Sequence, residues 1–203
     1  DVEEEIQRLR DELNALKGRE IENELARTEL ESLKRSLDIP FLGDMPNERA
    51  RIVSGGITNF DEDVKIDKGS DSGIEPGMAV VSGSGLVGTV IDTSSGYSVV
   101  RILTHRDMSV GVKVEGKQFF AIVTGRGEPN RLSGSVAMAS ELAEGDIVVT
   151  SGVEESRYPA NIPVGRISRV TDDSAGAKKD LDVEVLVSLN DVDFVTVIKQ
   201  VRD

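Results

Sequence analysis

The sequence predicts a mainly β chain headed by one α-helix, and three observations carry that prediction. Residues 1–37 hold one glycine, Gly18, no proline, and apolar residues at heptad spacing. Nearly everything after Pro40 reads as short Val-, Ile- and Thr-rich runs cut by glycine turns. A segment around residue 77 recurs around residue 145. The expected organisation is a coiled-coil helix over 1–38, a hinge over 39–47, and two small β-barrels over 48–100 and 101–203. The boundary near residue 100 is soft, with C-terminal strands free to cross back to the first barrel.

Val2, Ile6, Leu9, Leu13 and Leu16 step by 4, 3, 4 and 3 residues, the seam of a coiled coil with Ile6 and Leu13 at a. In a parallel pair the facing g and e′ positions lie five residues apart. Here they are Glu5 with Arg10, Glu12 with Lys17, and Arg19 with Glu24. All three are opposite in sign, which favours an in-register parallel dimer, though each exposed pair contributes only about 0–1 kcal/mol. Past Gly18 the seam decays: Glu20, Asn23 and Arg27 take seam positions, Leu30 and Leu37 return to it, and Leu33 falls out of phase. That second half could equally lie along its own β-domain. Two clean heptads alone are marginal in water.

Ile39 to Pro46 forms the expected hinge, because two prolines within seven residues cannot continue a helix. Strand-like runs follow at Ala50–Ser54, Asp63–Asp67, Met78–Ser82, Gly85–Asp92, Ser98–Leu103 and Ser109–Val114. They continue at Phe119–Gly125, Ser133–Ala137, Asp146–Ser151, Val164–Val170, Asp182–Val187 and Thr196–Gln200. Asp172 to Asp180 reads as a solvated hairpin loop. No second long helical pattern interrupts, which argues against a parallel α/β sheet.

Ile74-Glu75-Pro76-Gly77-Met78-Ala79-Val80-Val81-Ser82 lines up with Leu142-Ala143-Glu144-Gly145-Asp146-Ile147-Val148-Val149-Thr150. Val87-Gly88-Thr89-Val90 then matches Val164-Gly165-Arg166-Ile167, with nine extra residues between the halves of the later copy. Each copy reads as a Gly turn, a buried strand, and a Gly that lets the next strand bend as a small barrel closes.

Twenty-four basic against 37 acidic residues give a net charge of −13, which argues against nucleic acid or anionic lipid as the main partner. The chain has no Cys, so disulfides and thiolate metal sites are excluded, in keeping with an extracytoplasmic bacterial setting. No apolar run approaches the roughly 18 residues of a membrane span. The heptad pattern is already running at Asp1, with no Met before it, so the chain reads as a piece of a longer one.

Catalytic chemistry finds little support. Gly83-Ser84-Gly85-Leu86-Val87-Gly88 fits G-x-G-x-x-G, but strand chemistry follows it where a dinucleotide site needs a helix. His105 is the only histidine; with Asp107 nearby it reads as a surface histidine in a polar turn rather than part of a triad. Asp61-Glu62-Asp63 and Asp67 to Asp71 lack the Gly and Glu placement of a calcium loop. Carboxylates are plentiful, but nothing singles out a pair.

Ile66 through Val80 with Gly85-Leu86-Val87-Gly88-Thr89-Val90, and Val149-Thr150-Ser151-Gly152 through Tyr158-Pro159-Ala160-Asn161-Ile162-Pro163-Val164-Gly165-Arg166-Ile167, resemble the two signatures of the bacterial rod shape-determining MreC family. The order of parts agrees, through Ala50-Arg51-Ile52-Val53 to Asp193-Phe194. The chain departs from the family at Glu154 to Tyr158, where a Gly-rich turn and a Phe are usual. It also has Asn161 for a Gly and Phe60 for a Trp; Asn still tolerates positive φ.

The resemblance implies two six-stranded barrels, chymotrypsin-like in outline but without a triad. It implies no enzyme activity, cofactor or metal. It further implies a single-pass protein of the bacterial inner membrane with this region extracytoplasmic, dimerising through the helix and stacking into filaments through the β-domains. The role implied is a scaffold of cell-wall elongation working with MreD, RodA, a class B penicillin-binding transpeptidase and MreB. Docking is expected at exposed strand edges or barrel faces. Two other readings are a degenerate or cryptic hydrolase on the double barrel, and a secretion or efflux adaptor. The single N-terminal helix speaks against the adaptor, which usually carries a helical hairpin.

Overall fold

The computed structural model describes residues 2–37, 39–54, 63–117, 119–137, 140–153, 157–173 and 176–199, with backbone alone at 31–32, 34–37 and 54. Expectations placed on Phe60, Asp61-Glu62, Glu154 to Ser156 and Gln200, and on the side chain of Leu37, fall outside the described residues.

The helix α1 (Val2–Leu37) is 36 residues long, about 54 Å at 1.5 Å per residue. Twelve strands follow: β1 (Asn47–Ser54), β2 (Asp63–Ile66), β3 (Ala79–Ser82), β4 (Gly85–Thr93), β5 (Ser98–Ile102), β6 (Ser109–Val114), β7 (Ala121–Gly125), β8 (Arg131–Ala137), β9 (Ile147–Thr150), β10 (Pro163–Asp172), β11 (Lys178–Val185) and β12 (Phe194–Ile198). They form two closed antiparallel barrels, in ring order β1-β12-β3-β4-β5-β2 and β10-β11-β8-β7-β6-β9. The fold is therefore the expected one, a helix followed by two six-stranded barrels. The expected loop at 172–180 is shorter than the sequence implied, since the β10–β11 ladder runs on to Asp172 and Lys179.

The internal repeat is a structural one. Gly77 and Gly145 both sit at positive φ, 96° and 93°. Gly77 N–H donates to the Val90 carbonyl and Gly145 N–H to the Ile167 carbonyl, each at 2.8 Å. Register slips at Val87 and Val164, and again at Ile91 and Ser168, at matching points of the two copies. Such bulges add twist and let a short sheet close on itself. Matching β3, β4 and β5 to β9, β10 and β11 makes the two rings identical in strand order, with β12 standing where β6 stands. The first barrel is thus a circular permutation of the second, and its remaining strand comes from the chain's far end.

β3 is buried along its whole length because both of its faces are covered. Val80 faces the first barrel's core. Ala79, Val81, Leu86 and Ile198 instead join the apolar cluster that fills the second barrel. The β3–β4 hairpin turns on Gly83-Ser84 and brings Gly85 against the Pro163 carbonyl, leaving no room for a Cβ. Ile39 and Leu42 are buried in the same cluster, with Phe41 and Met45 packed on it. The segment expected to hinge is therefore a packed elbow. Beyond it α1 touches β12, and Arg51 holds Glu29 at 2.6 Å.

Candidate functional site

The structure first disposes of the weak catalytic motifs. Gly83 to Gly88 is a two-residue hairpin turn leading into β4, with no helix to meet a phosphate. His105 is not the surface histidine expected: its side chain is only 13% exposed. Its Nδ1 accepts the Asp107 backbone N–H at 2.9 Å, while the Asp107 carboxylate stands off at 3.8 Å. A triad needs that nitrogen to donate to a carboxylate, so this turn uses the imidazole for structure. No group of three or more His, Cys, Asp or Glu among the described residues is placed to hold a metal ion.

Docking is expected at exposed strand edges or barrel faces. Each strand of both rings has a neighbour on either side, so unpaired backbone is confined to stretches where a ladder stops short, as where β7 pairs β8 only over Val123 to Gly125, and the faces are the broader surfaces.

The stalk offers one such face. Val2, Ile6, Leu9, Leu13 and Leu16 are 45–74% exposed, an apolar stripe that the chain itself leaves uncovered. Arg10, Glu12, Lys17, Arg19 and Glu24 flank it and are exposed too. Glu5 reaches Arg8 at 3.4 Å within its own helix.

The second barrel offers another, which the sequence reading missed. Inward and outward residues alternate through Phe119, Phe120, Ala121, Ile122 and Val123, putting Phe120 and Ile122 outside, each about half exposed. Gly111 pairs with Ile122 across β6–β7. With no Cβ at Gly111, Ser151 Oγ and the Phe120 ring lie close over the strand, and a groove of about 550 Å³ is lined by Phe120, Ile122, Val153, Met108 and Tyr158, with Asp107 and Arg157 among its polar residues. The signal was present in the sequence: two adjacent phenylalanines in an extended run leading into a strand cannot both point inward.

Tyr158 is buried, and its hydroxyl lies 2.7 Å from Thr89 Oγ1 in the first barrel. Burial pushes its pKa up, against the hydrogen bond to Thr89 and the charge of Arg157. The loop carrying it is pinned by Thr150, whose hydroxyl donates to the Pro159 carbonyl at 2.5 Å and accepts the Ile162 N–H at 2.9 Å. Asn161 adopts φ 68°, the left-handed conformation that its replacement of Gly requires. On the same barrel, Lys117 bonds Asp146 at 2.6 Å and, with the Ala143 N–H, holds that carboxyl below the usual range.

A family model described as rod shape-determining protein MreC, barrel core, matches residues 52–199. The cell shape-determining protein MreC of Listeria monocytogenes is 34% identical over 202 residues, covering 97% of this chain and 68% of that protein. Other curated relatives are covered over less than half of their length. A solved MreC structure superposes with a TM-score of 0.79 at 28% identity, over 86% of this chain and 98% of its own. The complex between penicillin-binding protein PBP2 and MreC from Helicobacter pylori includes a chain that matches with a TM-score of 0.58 at 17% identity, over 77% of this chain and all of that one. That last likeness is one of fold. A family match over most of the barrels, with a relative matched along nearly the whole chain, leads to one conclusion: the chain belongs to the rod shape-determining MreC family.

Proposed function

We propose that this chain is the extracytoplasmic part of a non-catalytic scaffold of bacterial cell-wall elongation. It is held at the inner membrane by a single span outside the sequence given. The stalk pairs two copies through Val2, Ile6, Leu9, Leu13 and Leu16, with Glu5–Arg10, Glu12–Lys17 and Arg19–Glu24 setting register. The barrels then present their docking faces in duplicate. The partner read for the Phe120–Ile122 groove is the cognate class B penicillin-binding transpeptidase, within an assembly that also holds MreD, RodA and MreB.

The observation that carries this reading is the exposed apolar groove on a β-barrel of this family. Support for the occupant comes from the Helicobacter pylori complex, in which a chain of the same fold is held by a penicillin-binding protein. No helix among the described residues is long and apolar enough to cross a membrane. The hydrolase reading is not favoured, because the Nδ1 of His105 is occupied by a backbone donor.

Titration of the full chain with the purified extracytoplasmic region of the transpeptidase tests the proposal. Saturable binding is expected, and Ile122→Glu should weaken it at least tenfold by placing a charge in an apolar contact. Absence of binding by the unaltered chain would remove the transpeptidase as partner.

A further inference from the structure

Beside the apolar groove lies a second groove of about 500 Å³ whose chemistry is opposite to that of the rest of the chain. Arg106, Arg126 and Arg131 line it, against Glu128 and Asp182. Three cations against two carboxylates invert the balance of a protein with 24 basic and 37 acidic residues.

The arginines are gathered by backbone packing. A Cβ at Gly125 would overlap the Thr104 and His105 carbonyls, so glycine lets the 104–108 turn lie against the end of β7. Gly125 N–H bonds the Met108 carbonyl at 3.0 Å and Gly127 N–H the Thr104 carbonyl at 2.8 Å. Arg106 then donates from Nε to the Arg126 carbonyl at 3.1 Å, and Arg126 donates from Nε to Ser133 Oγ. Arg131 is shared between Glu128 at 3.2 Å and Asp182 at 3.7 Å. Among the described residues, neither Arg106 nor Arg126 has a carboxylate within ion-pair distance. Two guanidinium groups are therefore fixed through Nε, with their outer N–H groups unclaimed by any acid among the described residues. That is the preorganised fork which binds carboxylates in bidentate fashion.

We propose that the outer face of β6–β8 is a two-part docking surface. The Phe120–Ile122 groove takes an apolar side chain, and the Arg106–Arg126–Arg131 groove takes carboxylates of an acidic segment on the same protein partner. The two halves are continuous: Ser109 Oγ and Thr124 Oγ1 meet at 2.9 Å between them. Ile122 and Arg126 are four positions apart, about 13 Å along an extended chain. An acidic occupant relieves the repulsion between neighbouring arginines and steers association electrostatically. This inference rests on the scaffold reading and specifies what its partner must carry.

The test is calorimetric titration of the full chain with the extracytoplasmic region of the cognate class B transpeptidase, at low and at moderate salt. The doubly substituted chain Arg106→Gln/Arg126→Gln is compared with Arg169→Gln/Lys178→Gln, which removes two positive charges from the exposed β10–β11 hairpin. All four residues are exposed, so both variants should melt as the parent does. The groove variant should bind about tenfold or more weakly at low salt and lose much of its salt dependence, while the hairpin variant keeps both. If the groove variant matches the hairpin variant while Ile122→Glu still weakens binding, the arginine half is wrong and the scaffold reading stands. If the unaltered chain does not bind, both fall. If the groove substitutions alter only self-association in sedimentation, the occupant is a second copy and the proposal is overturned.

Discussion

The hydroxyls of Thr89 and Tyr158 lie 2.7 Å apart across the junction of the two barrels, buried and 69 residues apart in sequence. The nine-residue insertion of the second repeat places Tyr158 there, so the difference between the copies is what couples them. Tyr158→Phe keeps the ring but removes the hydroxyl that bonds Thr89 Oγ1. It should destabilise the head by about 1–2 kcal/mol in urea unfolding. Adding Thr89→Val should recover part of that loss; a double variant no better than the single would mean that the bond contributes little.

Gly88 and Gly165 occupy equivalent places in β4 and β10. A Cβ at Gly88 would overlap the Arg101 carbonyl oxygen, and one at Gly165 would stand 2.6 Å from the Glu184 oxygen. Alanine at either position should cost about 3 kcal/mol or more, because backbone must move to make room. Gly96, with nothing within 4 Å and no positive φ, is the control, and Gly96→Ala should leave the melting temperature nearly unchanged.

The stalk prediction separates assembly from folding. Leu9 and Leu13 are half-exposed and touch no part of either barrel core. Leu9→Glu with Leu13→Glu should give a monomer by sedimentation with the head's thermal transition intact. A dimer that survives both substitutions would assign pairing to the barrels.

Asp146 makes the acid limb of stability specific. Its folded pKa is depressed, chiefly by Lys117 and next by the Ala143 N–H. The stabilisation is therefore present above the ordinary aspartate value and is lost as pH falls through it towards the folded value. Asp146→Asn should be less stable than the parent at neutral pH, with the gap closing as the solution is acidified below pH about 4. A gap that stays constant with pH would mean that the loss is one of packing alone.

Much of this was legible along the chain. Strands and turns are written locally, in β-branched runs, Gly turns and a period of two, so each of the twelve strands overlaps a run read from the sequence, although β11 begins at Lys178 inside the expected loop. The repeat was readable because Gly77 and Gly145 each need a left-handed turn that a side chain disfavours. Asn161 kept that conformation in place of Gly for the same reason.

Tertiary structure decided what depends on partners far apart in sequence. Nothing local tells β12 to close the first barrel, since its pairing with β1 joins Asn47 to Ile198. The solid burial of β3 reads the same whether its outer face meets a helix, a ligand or a second barrel. His105 looked like surface chemistry until packing of its turn left its side chain only partly exposed, and Ile39 to Met45 looked like a hinge until Ile39 and Leu42 entered the shared core. Arg106, Arg126 and Arg131 are separate charges in the sequence. They become one groove only because Gly125 lets two backbones approach. Sequence sets what each segment prefers, whereas ring closure and burial choose which preferences meet.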